Sequence, residues 1–146
     1  PCPTGSWEVG SVGSPNRALD VVVSDGIAYV ADYGTIRVID VSTPASPVEI
    51  TSYDNAGYAY DLAVTGSLLL VADSSQYLVL DVSDPSAPVE VVSYQTPGNA
   101  FGVAVAGAFE LVADNAAGVL VMSTRNGIFS DDFESGDTGD WSAATP

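Results

Sequence analysis

The chain has no lysine and no histidine, and only three arginines against 19 acidic residues. The commonest general base and all Schiff-base chemistry are therefore missing, which argues against an enzyme. A glycosidase built on two carboxylates needs neither residue, but no spacing singles out such a pair. The net charge of −16 repels nucleic-acid phosphates and anionic lipid. We expect no catalytic residue, no nucleic-acid partner and no attraction to an anionic membrane.

Cysteine and long apolar runs are scarce as well. Cys2 is the only cysteine, so no disulfide can form within the chain, and an odd cysteine in a secreted protein indicates an intermolecular bond or a free thiol. No apolar run approaches the ~20 residues of a membrane helix, so we expect no membrane span. Because the chain begins at Pro1 rather than Met, we expect a processed product or a piece of a longer protein. The expected location is extracellular or at the cell surface, after removal of a signal peptide.

What the chain has instead is a repeat of 41 residues. Asp32, Asp73 and Asp114 lie 41 residues apart, and residues 20–60 align with residues 61–101 without insertion or deletion. Each full repeat contains four short runs rich in Val, Ile and Tyr, which is typical of strands. In the first repeat these runs are Leu19–Val23, Ile27–Ala31, Ile36–Val41 and Val48–Tyr53. Four strands in about 40 residues are typical of a β-propeller blade.

The segments between the runs are typical of turns. Ser24-Asp25-Gly26 and Asp32-Tyr33-Gly34 predict tight hairpins, because glycine and short polar residues tolerate positive φ. The third and fourth runs are separated by a segment with Pro44 and Pro47, which predicts an exposed connection without ladder pairing. The predicted fold is therefore all-β, built of four-stranded antiparallel blades.

The repeat is incomplete at both ends. Trp7–Val12 aligns with Val48–Tyr53, the fourth strand of the first repeat, and Gly102–Gly127 contains only three strands, with Met122 aligned to Asp40. We predict a repeat domain over residues 1–127, with about three blades per chain and exchange of the N-terminal strand. Propellers close with about four to eight blades. The chain is therefore a piece of a larger propeller, half of a six-bladed ring of two chains, or the unit of a non-closing polymer.

Two segments of the full repeats carry a resemblance. Tyr29–Ser42, with the sequence YVADYGTIRVIDVS, and Leu78–Pro85, LVLDVSDP, resemble the LVIVD repeat of bacterial and archaeal secreted or surface proteins. The third match, Val119–Ser123, lacks the aspartate, and the resemblance covers about residues 3 to 127. It implies β-propeller blades without a shared catalytic site, in an extracellular protein used for interaction or adhesion.

The last segment, residues 128–146, is predicted to be a separate acidic tail. It resembles short acidic segments that close many secreted bacterial proteins, which implies a sorting, anchoring or assembly element. Its carboxylates are candidate calcium ligands, although their spacing does not match an EF-hand loop and a solvated tail is the favoured interpretation: Asp131, Asp132, Asp137 and Asp140. Its aromatic residues are expected to dock on a neighbouring surface, in this chain or another: Phe129, Phe133 and Trp141.

Carboxylates and aromatic residues recur within the repeats. Asp32, Asp73 and Asp114 end the second strand of each repeat, where they would line a channel that binds a cation or accept hydrogen bonds from their own turn amides. The hydrogen-bonding interpretation is favoured, and it extends to Asp40 and Asp81. Aromatic residues near the links between repeats would form a contact patch or pack between blades, and exposure of Tyr58 would decide between these. They are Tyr53, Tyr58, Tyr60, Tyr94 and Phe101.

These observations favour a non-enzymatic extracellular scaffold for protein–protein association or adhesion. We expect it to form a homo-oligomer or polymer by donating residues 7–12 to the third repeat of another chain, with Trp7, Val9 and Val12 as contact residues. One alternative is a structural subunit of a surface filament. Another is a propeller fragment that binds carbohydrate or calcium at its loops. No cofactor is expected unless calcium is bound.

Overall fold

The computed structural model describes residues 7–124, which form one antiparallel sheet with its strands in chain order. Every regular element assigned in this range is a strand, so the all-β prediction is confirmed. The strands are β1 (Ala18–Ser24), β2 (Ile27–Asp40), β3 (Val48–Thr65), β4 (Leu68–Asp81), β5 (Val89–Ala106), β6 (Phe109–Asp114) and β7 (Gly118–Met122). No helix within residues 7–124 is long and apolar enough to span a bilayer.

Strands β2 and β4 each reverse direction at their middle. A straight strand of 14 residues spans about 46 Å, yet the Val41 amide, just past the end of β2, donates to the Gly26 carbonyl just before its start, at 2.9 Å. The chain reverses at Tyr33, which has a φ of 62°. In β4 the Val82 amide donates in the same way to the Ser67 carbonyl, at 2.8 Å. Each of these elements therefore contains the second and third strands of a blade, and the predicted hairpin at Asp32-Tyr33-Gly34 is confirmed.

Strands β3 and β5 run from one repeat into the next. The first part of β3, Val48–Asp54, pairs with β2, whereas its last part, Asp61–Thr65, pairs with β4. The fourth strand of the first repeat and the first strand of the second repeat are thus one continuous element. The same holds for β5, between the second and third repeats.

The core consists of two hydrophobic clusters, one at each junction between successive repeats. Side chains alternate between the two faces of a strand. Leu69 and Val71 accordingly join the cluster shared with the first repeat, while Leu70 and Ala72 join the cluster shared with the third. The second repeat is therefore covered on both faces. The three repeats stack face to face, as blades do.

The third repeat has a longer hairpin than the other two. Asp114 pairs with Gly118, so three residues form the turn between β6 and β7, where two residues form it in β2. A shift of one residue turns every side chain of a strand to the opposite face. Met122 therefore packs against the cluster shared with the second repeat. The sequence alignment paired Met122 with Asp40, but in the structure Met122 occupies the position that Leu80 has in the second repeat. Val119 and Val121 face outward, 65% and 64% exposed.

Residues 7–17 precede β1 and belong to no strand, so the expected strand from Trp7 to Val12 is not formed. The segment lies instead against the first repeat. A Cβ added to Gly10 would stand 2.2 Å from the Pro44 carbonyl oxygen, and the Gly13 carbonyl accepts a hydrogen bond from Arg37. A strand needs a neighbour to satisfy its backbone groups, and the described residues place no third strand of an earlier repeat beside this segment.

Candidate functional site

The N-terminal segment lies where the fourth strand of an earlier blade would lie. At the junction between the first and second repeats, the Tyr53 hydroxyl in β3 donates to the Glu90 carboxylate at 3.2 Å. One repeat earlier these positions are Val12 and Glu49. Arg37 contacts both the Gly13 carbonyl and the Glu49 carboxylate, so the segment is held near Glu49 just as β3 is held near Glu90. The predicted contact residues Trp7, Val9 and Val12 are 81%, 69% and 37% exposed.

Strand β7 has a free edge among the described residues. In the first two repeats the third strand pairs with a fourth: Ile36–Asp40 with β3 and Tyr77–Asp81 with β5. In the third repeat β7 pairs with β6 alone, at the end of the sheet order. An unpaired edge presents a row of backbone donors and acceptors to any chain that extends beside it.

The outer face of the third repeat carries apolar side chains that the sequence patterns did not single out. Phe109, Val119 and Val121 are 48%, 65% and 64% exposed. A groove of about 340 Å³ on this face is lined by Ala104, Leu111, Ala113 and Val119, with Val103, Gly102 and Asp61. A contiguous apolar surface of this kind marks an interaction site. The 41-residue alignment contains the signal, because Leu111 and Ala113 match the buried Leu70 and Ala72.

The aromatic residues near the links form two separate pairs. The exposed Tyr58 stacks on Tyr33, with ring centroids 4.1 Å apart, and it is 43% exposed. Tyr60 meets Phe101 edge to face, with ring centroids 4.8 Å apart. Because Phe101 is the equivalent of Tyr60 one repeat later, this second pair joins neighbouring repeats. Tyr58 thus lies at the surface, whereas Tyr60 contributes to packing between blades.

The carboxylates that end the second strand of each blade are buried and differ in their partners. Asp73 accepts hydrogen bonds from the Asn55 and Gln76 side-chain amides, at 2.9 and 2.6 Å. Asp114 accepts one from the Gly98 amide at 2.9 Å. The role of both carboxylates is structural, but the prediction that their own turn amides donate to them is wrong: Asn55 and Gly98 belong to the link that precedes the repeat, and Gln76 donates from its side chain. That link is close: a Cβ on Gly98 would stand 2.0 Å from the Asp114 carboxylate.

Asp32 is the exception in this series. It is fully buried, and no hydrogen-bond donor among residues 7–124 reaches either carboxylate oxygen. The nearest cationic atom is Arg37 Nε, 4.0 Å from Oδ2. Ser14 and Thr35 stand where Asn55 and Gln76 would be, and they lack the amide groups that serve Asp73. The sequence alignment shows these replacements, although their consequence depends on burial.

A second series of carboxylates links the first strands of successive blades. Asp20 Oδ2 accepts from the Leu62 amide at 2.7 Å, and Asp61 Oδ2 accepts from the Val103 amide at 2.8 Å. Burial raises the pKa of Asp61, and the neighbouring Asp20 carboxylate raises it further against the lowering effect of the Val103 amide. Gly102 stands at this position in the third repeat. The sequence showed the recurrence but not this role.

The carboxylates that follow the third strand stabilise exposed turns. Asp40 accepts hydrogen bonds from the Ser42 hydroxyl and amide, at 2.5 and 2.8 Å. The Ser83 amide donates to Asp81 at 2.8 Å. These bonds lower the pKa of both aspartates. The expected structural role, acceptance of hydrogen bonds from their own turns, is confirmed for Asp40 and Asp81.

No group of three or more carboxylate, cysteine or histidine side chains within residues 7–124 is arranged to hold a metal ion. The candidate calcium ligands Asp131, Asp132, Asp137 and Asp140 lie outside the described residues. The same is true of the predicted docking aromatics: Phe129, Phe133 and Trp141. These predictions stay predictions.

The comparison with known families gives one match, in three consecutive segments. The model of the LVIVD repeat matches residues 15–55, 56–96 and 97–122. Together these segments contain every strand described above, and LVIVD repeats are propeller-type. No curated protein matches the chain.

Proposed function

The chain belongs to the LVIVD repeat family, and on this basis we propose that it is a non-enzymatic scaffold that associates with other molecules of itself. The mechanism is strand complementation: residues 7–12 of one molecule become the fourth strand beside β7 of another. The observation that carries this proposal is the pair of incomplete ends. Residues 7–17 lie in the fourth-strand position without a ladder, and among residues 7–124 β7 has a ladder on one edge only.

Strand complementation is favourable because both partners are exposed and each gains backbone hydrogen bonds. Each new backbone hydrogen bond contributes about 1 kcal/mol net, and a strand of about six residues adds several of them. Residues 10–13 are held against the first repeat by the Pro44 and Arg37 contacts. Part of the entropy cost of ordering a donor strand is therefore met before association.

Truncation tests this proposal. Deletion of residues 1–13 removes the donor strand and is expected to give soluble monomers in light scattering and sedimentation. Deletion of residues 1–6 leaves Trp7–Val12 in place and is the matched control, which is expected to assemble like the full chain. Circular dichroism checks that both proteins keep their β structure. Unchanged assembly after the longer deletion would contradict strand complementation.

The geometry of the assembly decides between a closed oligomer and a filament. Association of two different surfaces closes into a ring where the rotation per molecule allows it and continues as a filament where it does not. Three blades per molecule make a six-bladed ring of two molecules the smallest closed form within the usual range of about four to eight blades. Electron microscopy of the purified protein distinguishes discs from filaments, and filaments would favour a structural subunit of a surface fibre.

Two further parts of the proposal rest on the sequence. Absence of lysine and histidine supports the non-enzymatic role, which hydrolysis of a glycoside panel by the purified chain would contradict. An extracellular location and a role in adhesion accord with the resemblance to secreted and surface proteins. Immunodetection on intact cells of the source organism tests the location: protein found only after lysis would overturn it. Calcium binding is not proposed, because no observation within residues 7–124 favours it.

A further inference from the structure

The two junctions inside the chain are built in the same way. At each of them a groove on one repeat packs against apolar side chains of the next repeat, and a pair of the received residues stands at matching positions in the two junctions. At the first junction this pair is Leu62 and Val71, and at the second it is Val103 and Val112. The residues that form the grooves also match position by position: Val22, Tyr29 and Ala31 in the first repeat, and Ala63, Leu70 and Ala72 in the second.

Both halves of this junction are also present at the two ends of the stack, where no repeat within residues 7–124 covers them. Ala104, Leu111 and Ala113 are the groove residues of the third repeat, and they line the open groove of about 340 Å³. Their equivalents Leu70 and Ala72 are fully buried. At the opposite end Val21 is the equivalent of Leu62 and Val103. It is 56% exposed, although Leu62 and Val103 are only 4% and 8% exposed.

We infer that the groove on the third repeat binds the first repeat of a second molecule of this chain, with Val21 as the residue that enters it. This inference rests on the proposed self-association and specifies its two surfaces. The head is the surface of the first repeat around Val21, and the tail is the groove on the third repeat. The occupant is a second molecule because the groove repeats a surface that the first strand of the following repeat fills twice within the chain. Val21, which aligns with Leu62 and Val103, is exposed and can enter the groove.

The same docking brings the donor strand to its acceptor. Residues 10–13 already lie against the first repeat through Pro44 and Arg37. When the first repeat of one molecule packs on the third repeat of another, this segment approaches the free edge of β7. Face packing and strand complementation are therefore two parts of one interface. They involve different residues and can be disrupted separately.

The junction between molecules lacks one hydrogen bond that the internal junctions have. Asp20 and Asp61 accept hydrogen bonds from the backbone amides of Leu62 and Val103 in the next repeat. The third repeat has Gly102 at this position. An aspartate at position 102 would accept a hydrogen bond from the Val21 backbone amide of the incoming molecule in the same way. The site has room, since a Cβ on Gly102 would stand 3.4 Å from the Ala113 Cβ and 3.7 Å from the Asp61 carboxylate.

Complementary variants test the head-to-tail arrangement. Val21→Asp blocks the head and Ala104→Asp blocks the tail, and both residues are exposed, so folding should be retained. Each variant alone is expected to bind itself about 10- to 100-fold more weakly than the unmodified chain, because a charge replaces buried apolar contact. A mixture of the two is expected to form one-to-one dimers in sedimentation, because one intact head and one intact tail remain. Val89→Asp, at a valine that is 59% exposed outside both surfaces, is the matched control.

A gain of affinity provides the second measurement. Gly102→Asp is expected to tighten association about tenfold relative to the unmodified chain, and Gly102→Ala, which adds the Cβ alone, is expected not to do so. Self-association of the Val21→Asp variant alone at full strength, or a mixture that stays monomeric, would overturn the inference. If deletion of residues 1–13 abolishes assembly while both charge variants assemble normally, strand complementation stands and the face contact is wrong. A monomeric unmodified chain would contradict both.

Discussion

The Asp20 carboxylate accepts a hydrogen bond from the Leu62 backbone amide at 2.7 Å, across the junction between two repeats. The next carboxylate in the series, Asp61, makes the equivalent bond to Val103. Each bond joins the first strands of neighbouring blades, so the blades are coupled by polar contacts as well as by their hydrophobic clusters. Burial raises the pKa of Asp61, and the nearby Asp20 carboxylate raises it further.

The stability of the fold is expected to rise as the pH is lowered from 7 through the folded-state pKa of Asp61. Because burial and Asp20 raise that pKa above its ordinary value of 3.8, the folded chain binds the proton more tightly than the unfolded chain does. The cost of a charged Asp61 is therefore fully present above the folded-state pKa and is relieved as the pH falls through it. Urea unfolding at a series of pH values measures the effect.

Asp61→Asn is the control for this pH dependence, since the amide oxygen still accepts the Val103 amide but does not titrate. Its stability should change less over the same pH interval. Below pH 3.8 the trend is expected to reverse, because the lowered pKa values of Asp40, Asp81 and Asp84 contribute stability that is lost on protonation. Equal slopes for the two proteins would show that Asp61 is not the titrating group.

Replacement of Asp73 and Asp32 by asparagine should have unequal effects. Asp73 accepts hydrogen bonds from the side-chain amides of Asn55 and Gln76, at 2.9 and 2.6 Å. Hydrogen bonds to a charged group each contribute about 1.5–3 kcal/mol to stability. We expect Asp73→Asn to lower the free energy of unfolding by about 2 kcal/mol. Asp32→Asn should lower it less, because no hydrogen-bond donor among residues 7–124 reaches the buried Asp32 oxygens and Arg37, 4.0 Å from Oδ2, keeps its contact with Glu49. Denaturant midpoints compare the two, and equal losses would contradict the assignment of partners.

Tyr77 is expected to be the last tyrosine to ionise. Its ring is fully buried between the second and third repeats, and burial raises the pKa of Tyr77 to about 12, against the smaller lowering effect of its hydrogen bond with Thr124. Ultraviolet titration of the phenols should therefore show a late step near that pH. Tyr77→Phe should remove the late step, whereas Tyr94→Phe, at an exposed tyrosine, should leave it in place.

Association between molecules is expected to tighten when salt is added at neutral pH. Each chain carries a net charge of −16, so two molecules repel each other at long range, and the Debye length falls from about 30 Å at 0.01 M salt to about 8 Å at 0.15 M. The groove itself is apolar except for Asp61. Sedimentation at the two salt concentrations measures the change. Weaker association at the higher concentration would indicate an interface dominated by opposite charges instead of apolar contact.

The structure of a single blade follows from local sequence patterns. The 41-residue period, the four apolar runs and the hairpin at Asp32-Tyr33-Gly34 follow from local preferences, because strand alternation and turn chemistry act over a few residues. Every predicted run of the first repeat lies in β1, β2 or β3, apart from Val41 at the end of the third run. The role of Asp40 and Asp81 in their own turns is equally local, since the partners are only two residues away.

The surfaces that the incomplete repeats expose depend on how the blades pack in space. One additional turn residue between β6 and β7 exposes Val119 and Val121 and turns Met122 toward the cluster shared with the second repeat. An alignment without gaps cannot represent such a shift of register. Asp20 and Leu62 are separated by 42 residues and meet only because the blades stack. The groove on the third repeat exists for the same reason: whether Leu111 is covered depends on which repeat follows it in space, and a local pattern does not contain that information.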